Sequence, residues 1–288
     1  MVTKLSLKSI GGVIIVLKIS LILYLILKVL VYSDSATEAW TLDSSFFIFV
    51  VAGFLAQLID GTLGMAYGIS CSTLLLNFGI PPAVASASVH TAEVFTTGVS
   101  GLSHLFLNNV NKSLFFKIAV PGSIGAIIGA YLVSDIFDGG VIKPYISSYL
   151  LIMGVVLVVK SFKPVKAKEE VKRLSLLGFV GGFLDAIGGG GWGPIVSTNL
   201  IFQGKTPKET IGTVNTAEFF VAFFSTGVFL FFVGIDSWKV IIGLITGGVA
   251  AAPIGAIAAK KVEAKTLMLS VGLLIVTISV YTIYKSIF

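Results

Sequence analysis

Four carboxylates stand in apolar surroundings at matched places in this chain: Asp60 in AQLIDGTLGMAYG, Asp185 in GGFLDAIGGGGWGP, Glu93 in SASVHTAEVFTTG and Glu218 in GTVNTAEFFVAF. An ionisable side chain inside an apolar segment is costly and marks a functional position by default. Asp60 and Asp185 suit the cap of a following helix and also an ionisable pathway residue, with capping the preferred of the two. Glu93 and Glu218, each in a T-A-E triplet, suit a proton carrier that couples transport to a proton gradient, or a partner for backbone N–H groups. His90 and Asn215 precede the two Glu by one helical turn and so share their faces. A His beside a carboxylate titrates within reach of neutral pH. Asn cannot, so proton chemistry at that position is not common to both stretches. Thr91 and Thr216 offer hydroxyl donors to an oxyanion, or bond their own helix backbone.

The carboxylates need elements to hold them, and the glycines beside them say which. LIDGTLGMAYG (58–68) and LDAIGGGGWGP (184–194) each read as an apolar helix that runs into an Asp, turns on glycines and restarts. Pro194 suits the first turn of the restarting helix, where its missing N–H costs nothing. A helix broken inside a membrane is tolerated where its freed backbone lines a cavity or is buried in protein. The N–H groups and positive dipole end of each restarted helix would face that cavity and favour an anion. Gly61, Gly64, Gly68, Gly188, Gly189, Gly190 and Gly191 would let the backbone itself approach the ligand. Close helix packing is the other use of such residues. Tyr67 and Trp192 flank the breaks as cavity walls or packing groups.

The two breaks are copies. Displacing the sequence by 125 residues superposes Asp60 on Asp185, Gly64 on Gly189, Tyr67 on Trp192, Ser72-Thr73 on Ser197-Thr198 and HTAEVF on NTAEFF, with 16 identities in the 49 ungapped positions from 53 to 101. The chain is a duplication.

Its 288 residues are 56% hydrophobic and 12% charged, with a mean hydropathy of +1.01; soluble domains carry roughly 25% charged residues. This is an integral membrane protein. The net charge of +6 comes from lysines at the ends of apolar runs, which are topology signals and not a nucleic-acid patch. One cysteine, Cys71, excludes an internal disulfide framework and reads as a small buried side chain. With two His and one Cys, a dedicated transition-metal site and a bound cofactor are not expected. His104 reads as structural, and Trp40 and Trp238 as interfacial anchors.

Cytoplasmic loops are rich in Lys and Arg, so KSFKPVKAKEEVKR (160–173) is placed in the cytoplasm, together with the N-terminus. Crossings at 141–159, 114–133 and 84–107 then put residues 77–83 outside, and the acidic stretch 33–44 lies outside too. Residues 45–76 must enter and return to one face as a hairpin of two roughly 15-residue helices, each about 22 Å long. The second copy mirrors this: hairpin 174–202, then crossings 210–233, 239–259 and 266–284. The run 10–32 reads as a retained helix and not a cleaved signal, with Lys18 and Lys28 snorkelling to opposite faces. The expected fold is an all-α inverted repeat. An extra N-terminal helix and loop (1–44) precede the first repeat (45–159), the linker (160–173) and the second repeat (174–288). Each repeat holds a broken-helix hairpin and three transmembrane helices, the plan of many secondary transporters.

GGFLDAIGGGGWGP and GTVNTAEFFVAF, with their diverged partners in the first half, resemble the TauE/SafE sulfite exporter family, also called the TSUP family of membrane permeases, over roughly residues 45–286. The first break departs from the second in carrying Met65-Ala66 where the second has Gly190-Gly191. The resemblance implies export or uptake of a small sulfur-containing anion such as sulfite or sulfoacetate across the cell membrane; the doubled broken helices point to alternating access, and Glu93 and Glu218 leave protons open as a coupling partner. A cation or metal-ion permease built on the repeated carboxylates is the alternative. No P-loop, GxSxG or HExxH pattern accompanies them, so neither ATP use nor enzymatic chemistry is expected.

Overall fold

A computed structural model describes residues 6–31, 44–162, 173–203, 205–234, 237–258 and 264–287. The acidic stretch 33–43, with Trp40, lies outside the described residues. So do positions 163–172 of the basic linker, Asp236, Lys260 and Lys261. The described chain is helical: α1 (Leu7–Val31), α2 (Ser44–Leu63), α3 (Tyr67–Asn77), α4 (Pro82–Phe106), α5 (Lys112–Tyr131), α6 (Gly139–Ser161), α7 (Leu174–Gly188), α8 (Thr198–Phe202), α9 (Pro207–Phe232), α10 (Trp238–Ala258) and α11 (Ala264–Ile287). Single π-helical turns extend α5 through Leu132–Ile136 and precede α8 over Gly193–Ser197.

Local signals set the boundaries. Pro82 and Pro207 open α4 and α9 at their first positions, where fixed φ helps and no N–H is needed. Asn111 caps α5 by accepting from the Leu114 N–H, and Asp138 caps α6 by accepting from Gly140 and Val141. Six described spans, within α1, α2, α5, α6, α9 and α11, are long and apolar enough to cross a membrane. Side chains such as Val16 (62% exposed) and Phe231 (81%) face outward. That much apolar surface suits lipid and not water. The helix α4 is 25 residues long but is not apolar enough to qualify, because one face carries Ser86, His90, Glu93, Thr96 and Thr97, all buried.

The helices beside the first break differ in length from the sequence expectation of two roughly 15-residue limbs. α2 has 20 residues and α3 only 11, because the first break falls at Gly64–Ala66, one turn beyond Asp60. α2 therefore reaches about 30 Å by itself. Before the second break α7 has 15 residues.

Helix packing joins the halves: α2 lies on α10, α7 on α5, α4 on α9 and α6 on α11. Under the 125-residue displacement α2 becomes α7 and α5 becomes α10, so these pairs map onto one another or onto themselves. The first two are backbone-to-backbone crossings. A Cβ on Gly53 would strike Leu244 O and Cα, and one on Gly178, its repeat partner, would strike Ile118 O and Cα. Small residues at such crossings allow the close approach that stabilises helix pairs in lipid.

α1 stands apart from this scheme and packs on α4. Its buried residues Ile10, Ile14, Leu21 and Leu25 recur at the spacing of one helical face. Lys18 does not snorkel outward. Its Nζ donates to Phe95 O at 3.4 Å and lies 5.9 Å from the Phe95 ring centre, its stem against Gly98 of α4. The notch left by glycine admits the side chain. The side chain of Lys28 is outside the described residues.

Candidate functional site

The two helix breaks meet at the centre of the molecule. Gly64 and Ala66 take φ of 66° and 92°, and Gly189, Gly190 and Gly191 take 67°, 156° and 154°. A Cβ on Gly68 would lie 2.6 Å from Gly190 Cα, and one on Gly193 would lie 2.6 Å from Met65 Cα. These contacts are the same contact seen from each repeat, since 68 corresponds to 193 and 65 to 190. The hydrogen bonds repeat it. Ser197 Oγ donates to Gly64 O at 3.1 Å, and its partner Ser72 Oγ donates to Gly189 O. The left-handed turns at Gly64 and Gly189 aim these carbonyls out of their own helices and across to the opposite limb. At Gly190 no side chain fits, because Gly68 and the Ile69 N–H occupy that place.

Both aspartates bond to the first residue of the restarted limb. Asp185 Oδ1 accepts from the Trp192 N–H at 2.9 Å, and the Asp60 carboxylate accepts from the Tyr67 N–H. Asp185 Oδ2 lies 3.1 Å from His90 Nε2. His90 Nδ1 lies 2.8 Å from Ser86 O, and a carbonyl only accepts, so Nδ1 carries a proton. The Nε2–Oδ2 contact is then a hydrogen bond only when one further proton sits on the imidazole or the carboxyl. This pair links α4 of one repeat to α7 of the other and has room for one transferable proton.

Glu93 is buried beside it, and Glu218 is buried as well. Among the described residues, Oε2 of neither has a hydrogen-bond partner. A buried carboxylate oxygen without a donor is costly, so a proton, a cation or a donor on a ligand belongs there. Glu93 Oε1 approaches Gly68. His90, Glu93 and Asp185 each place one ligating atom within 4.8 Å of the others, and these three would be the ligands of a bound metal ion.

The other sequence candidates fall around this centre with varied duties. Thr91 and Thr216 donate to Ala87 O and Gly212 O of their own helices, each at 2.7 Å. Asn215 Nδ2 donates to Ser100 Oγ at 3.0 Å, so it does not copy the His90 contact. Tyr67 OH donates to Leu244 O at 3.4 Å and Trp192 Nε1 to Val214 O at 3.2 Å. Gly61 is half-buried in α2, and Gly188 abuts the Tyr149 ring.

Sequence reasoning missed Tyr149, whose OH donates to Gly190 O at 3.1 Å, and Ser86, whose Oγ donates to Ala186 O at 2.6 Å. Nothing marks Tyr149 within its apolar run. Ser72 and Ser197 were visible as a matched pair in the repeat, but their role across the breaks was not.

The family described as Sulfite exporter TauE/SafE matches residues 49–282. The probable membrane transporter protein YtnM of Bacillus subtilis (strain 168) is 43% identical over 246 residues, covering 82% of each chain. The probable membrane transporter protein YunE of the same organism is 21% identical over 272 residues, 85% of this chain and 99% of that one. Sulfite exporter TauE/SafE family protein 6 of Arabidopsis thaliana is 33% identical over 99 residues, 34% of this chain and 23% of that one. No solved structure matches the chain.

Proposed function

The chain belongs to the TauE/SafE sulfite exporter family of membrane transporters, and from that premise we propose that it carries a small sulfur-containing anion, sulfite or an organosulfonate such as sulfoacetate, by proton-coupled alternating access. The single observation that carries this reading is the crossing of the two breaks. Each restarted limb directs its first N–H to a buried carboxylate of its own repeat, and each break carbonyl is held by a serine of the other repeat.

The mechanism follows from that geometry. A helix start favours negative charge, and here Asp60 and Asp185 supply it. An incoming oxyanion competes with them for the same N–H groups and is repelled by Glu93 and Glu218 nearby. Protonating the carboxylates removes the repulsion and frees the N–H groups. Proton and anion then enter one site together, which couples their movements. The proton closest to the crossing is the one shared between His90 Nε2 and Asp185 Oδ2.

The exchange pattern of helix contacts and the alternation of basic loops support two oppositely oriented repeats rocking about this centre. In that arrangement the N-terminus and residues 160–173 are cytoplasmic, α2–α3 and α7 to α8 are the two hairpins, and both ends of the site face water in turn. Gly64, Gly68, Gly189 and Gly190 would then contact the anion through backbone, while Gly61, Gly188, Gly191, Tyr67, Trp192, Thr91, Thr216 and Asn215 shape its surroundings.

The grouping of His90, Glu93 and Asp185 favours one second reading, a cation permease. Labelled sulfite, labelled sulfoacetate and a divalent cation, each offered to purified protein in liposomes, separate the two. Saturable flux of a sulfur anion supports the proposal; flux of the cation alone replaces it with the second reading.

A further inference from the structure

Away from the breaks, a cavity of about 250 Å³ opens between the ends of α3, α6 and α11, and Asn77, Gly79, Gly140, Lys143, Thr282 and Lys285 contribute to its lining. We propose that this cavity is a second binding site, for an oxyanion held by Lys143 and Lys285, at one mouth of the protein.

The charges are arranged for it. The two lysines come from different helices, α6 and α11, and both line this one space, with no carboxylate among its described lining residues. Among the described residues neither has an ion pair or a hydrogen bond. Lys143 is half-buried and Lys285 exposed. Asn77 adds a side-chain amide whose oxygen is buried without a partner among the described residues; an amide turned about its bond presents its NH2 to the same space. The N-terminus of α6 is not the source of attraction, because Asp138 already takes the Gly140 and Val141 N–H groups. The volume falls below the roughly 300–1,000 Å³ of pockets for drug-sized ligands and suits a small hydrated ion or one phosphate group.

The repeat sharpens the contrast. Lys285 corresponds to Lys160 under the 125-residue displacement. Lys160 Nζ donates to Thr198 Oγ1 at 2.6 Å and so is engaged within the protein, whereas Lys285 faces the cavity. The two ends of the molecule are therefore not equivalent for anions. α3 runs from the first break at Tyr67 to Asn77 at the cavity, 11 residues or about 16 Å. An anion bound there sits one short helix from the crossing of the breaks.

Two sources share this chemistry: a free oxyanion from solution, or the phosphate of a bilayer lipid. Purified protein in phosphatidylcholine nanodiscs, titrated with sodium sulfate against sodium chloride at matched ionic strength, reads the first through the thermal unfolding midpoint. Native mass spectrometry after exposure to phosphatidylglycerol reads the second through retained lipid. Wild type should respond in at least one arm. Lys143→Gln with Lys285→Gln should lose that response, with apparent affinity down about tenfold or more, and Lys143→Arg with Lys285→Arg should keep it. Sulfate stabilisation identifies the free anion, and retained phosphatidylglycerol identifies the lipid. A Gln pair that folds and matches wild type in both arms overturns the site, as does a wild type silent in both. Because binding is read without transport, the result stands apart from whether sulfite crosses at the breaks.

Discussion

At the scale of single residues, the centre of the molecule is a matter of where one proton sits. His90 Nδ1 is committed to Ser86 O, so the Nε2–Asp185 hydrogen bond exists only while a proton is shared between the two. Asp185→Asn replaces that arrangement without breaking it. The amide oxygen accepts from the Trp192 N–H and the amide NH2 donates to neutral Nε2. The variant should fold with stability changed by less than about 1.5 kcal/mol, the net worth of one hydrogen bond, while transport loses its response to a pH gradient. Thermal unfolding and flux together check both halves of that statement. Glu218→Gln is isosteric and should likewise keep the fold and abolish gradient-driven flux; normal pH-dependent transport by that variant would remove Glu218 from the proton path. Ala66 is a different kind of residue. It stands at φ 92°, where a Cβ is strained and where the second repeat has glycine. Ala66→Gly should raise the unfolding midpoint, by about 1 kcal/mol of relieved strain set against some loss of chain stiffness. A lower midpoint would mean that the left-handed turn is not strained in the membrane.

At the scale of elements, the breaks were legible in the sequence because a 125-residue displacement without gaps superposed Asp on Asp and Gly on Gly. Their crossing was not, since no sequence rule says that Ser72 reaches the carbonyl of Gly189 and Ser197 that of Gly64. The two serines should be equivalent. Ser72→Ala and Ser197→Ala should each cost about 1 kcal/mol, and a double-mutant cycle should show coupling, because both bonds close one crossing. Additive losses would mean that the two bonds act independently. Limb lengths were misjudged for a local reason. The helix does not stop at Asp60 but continues a turn to Gly64, so α2 is long and α3 short. The direction of Lys18 was misjudged for a tertiary one, the notch at Gly98, which exists only once α1 lies on α4.

At the scale of the whole molecule, the account rests on two copies of one design facing each other through their broken helices. Composition made the membrane setting plain, and spacing made the duplication plain. The pairing of His90 with Asp185, from opposite repeats, could not be read from either, because the two stand 95 residues apart and the carboxylate that spacing places on the helix face of His90 is Glu93. The exchange of contacts between halves would suit the proposed alternating access, in which a rocking motion converts one half's conformation into the other's. The most direct test loads liposomes containing the purified protein with sulfite and follows its efflux under an imposed pH gradient, for wild type and for a variant with Gly189→Leu and Gly190→Leu. The account predicts gradient-dependent efflux by wild type and none by the folded variant, whose side chains would block the crossing. Equal efflux from both, or none from folded wild type with sulfite or any sulfonate, would contradict a sulfur-anion pathway at the breaks.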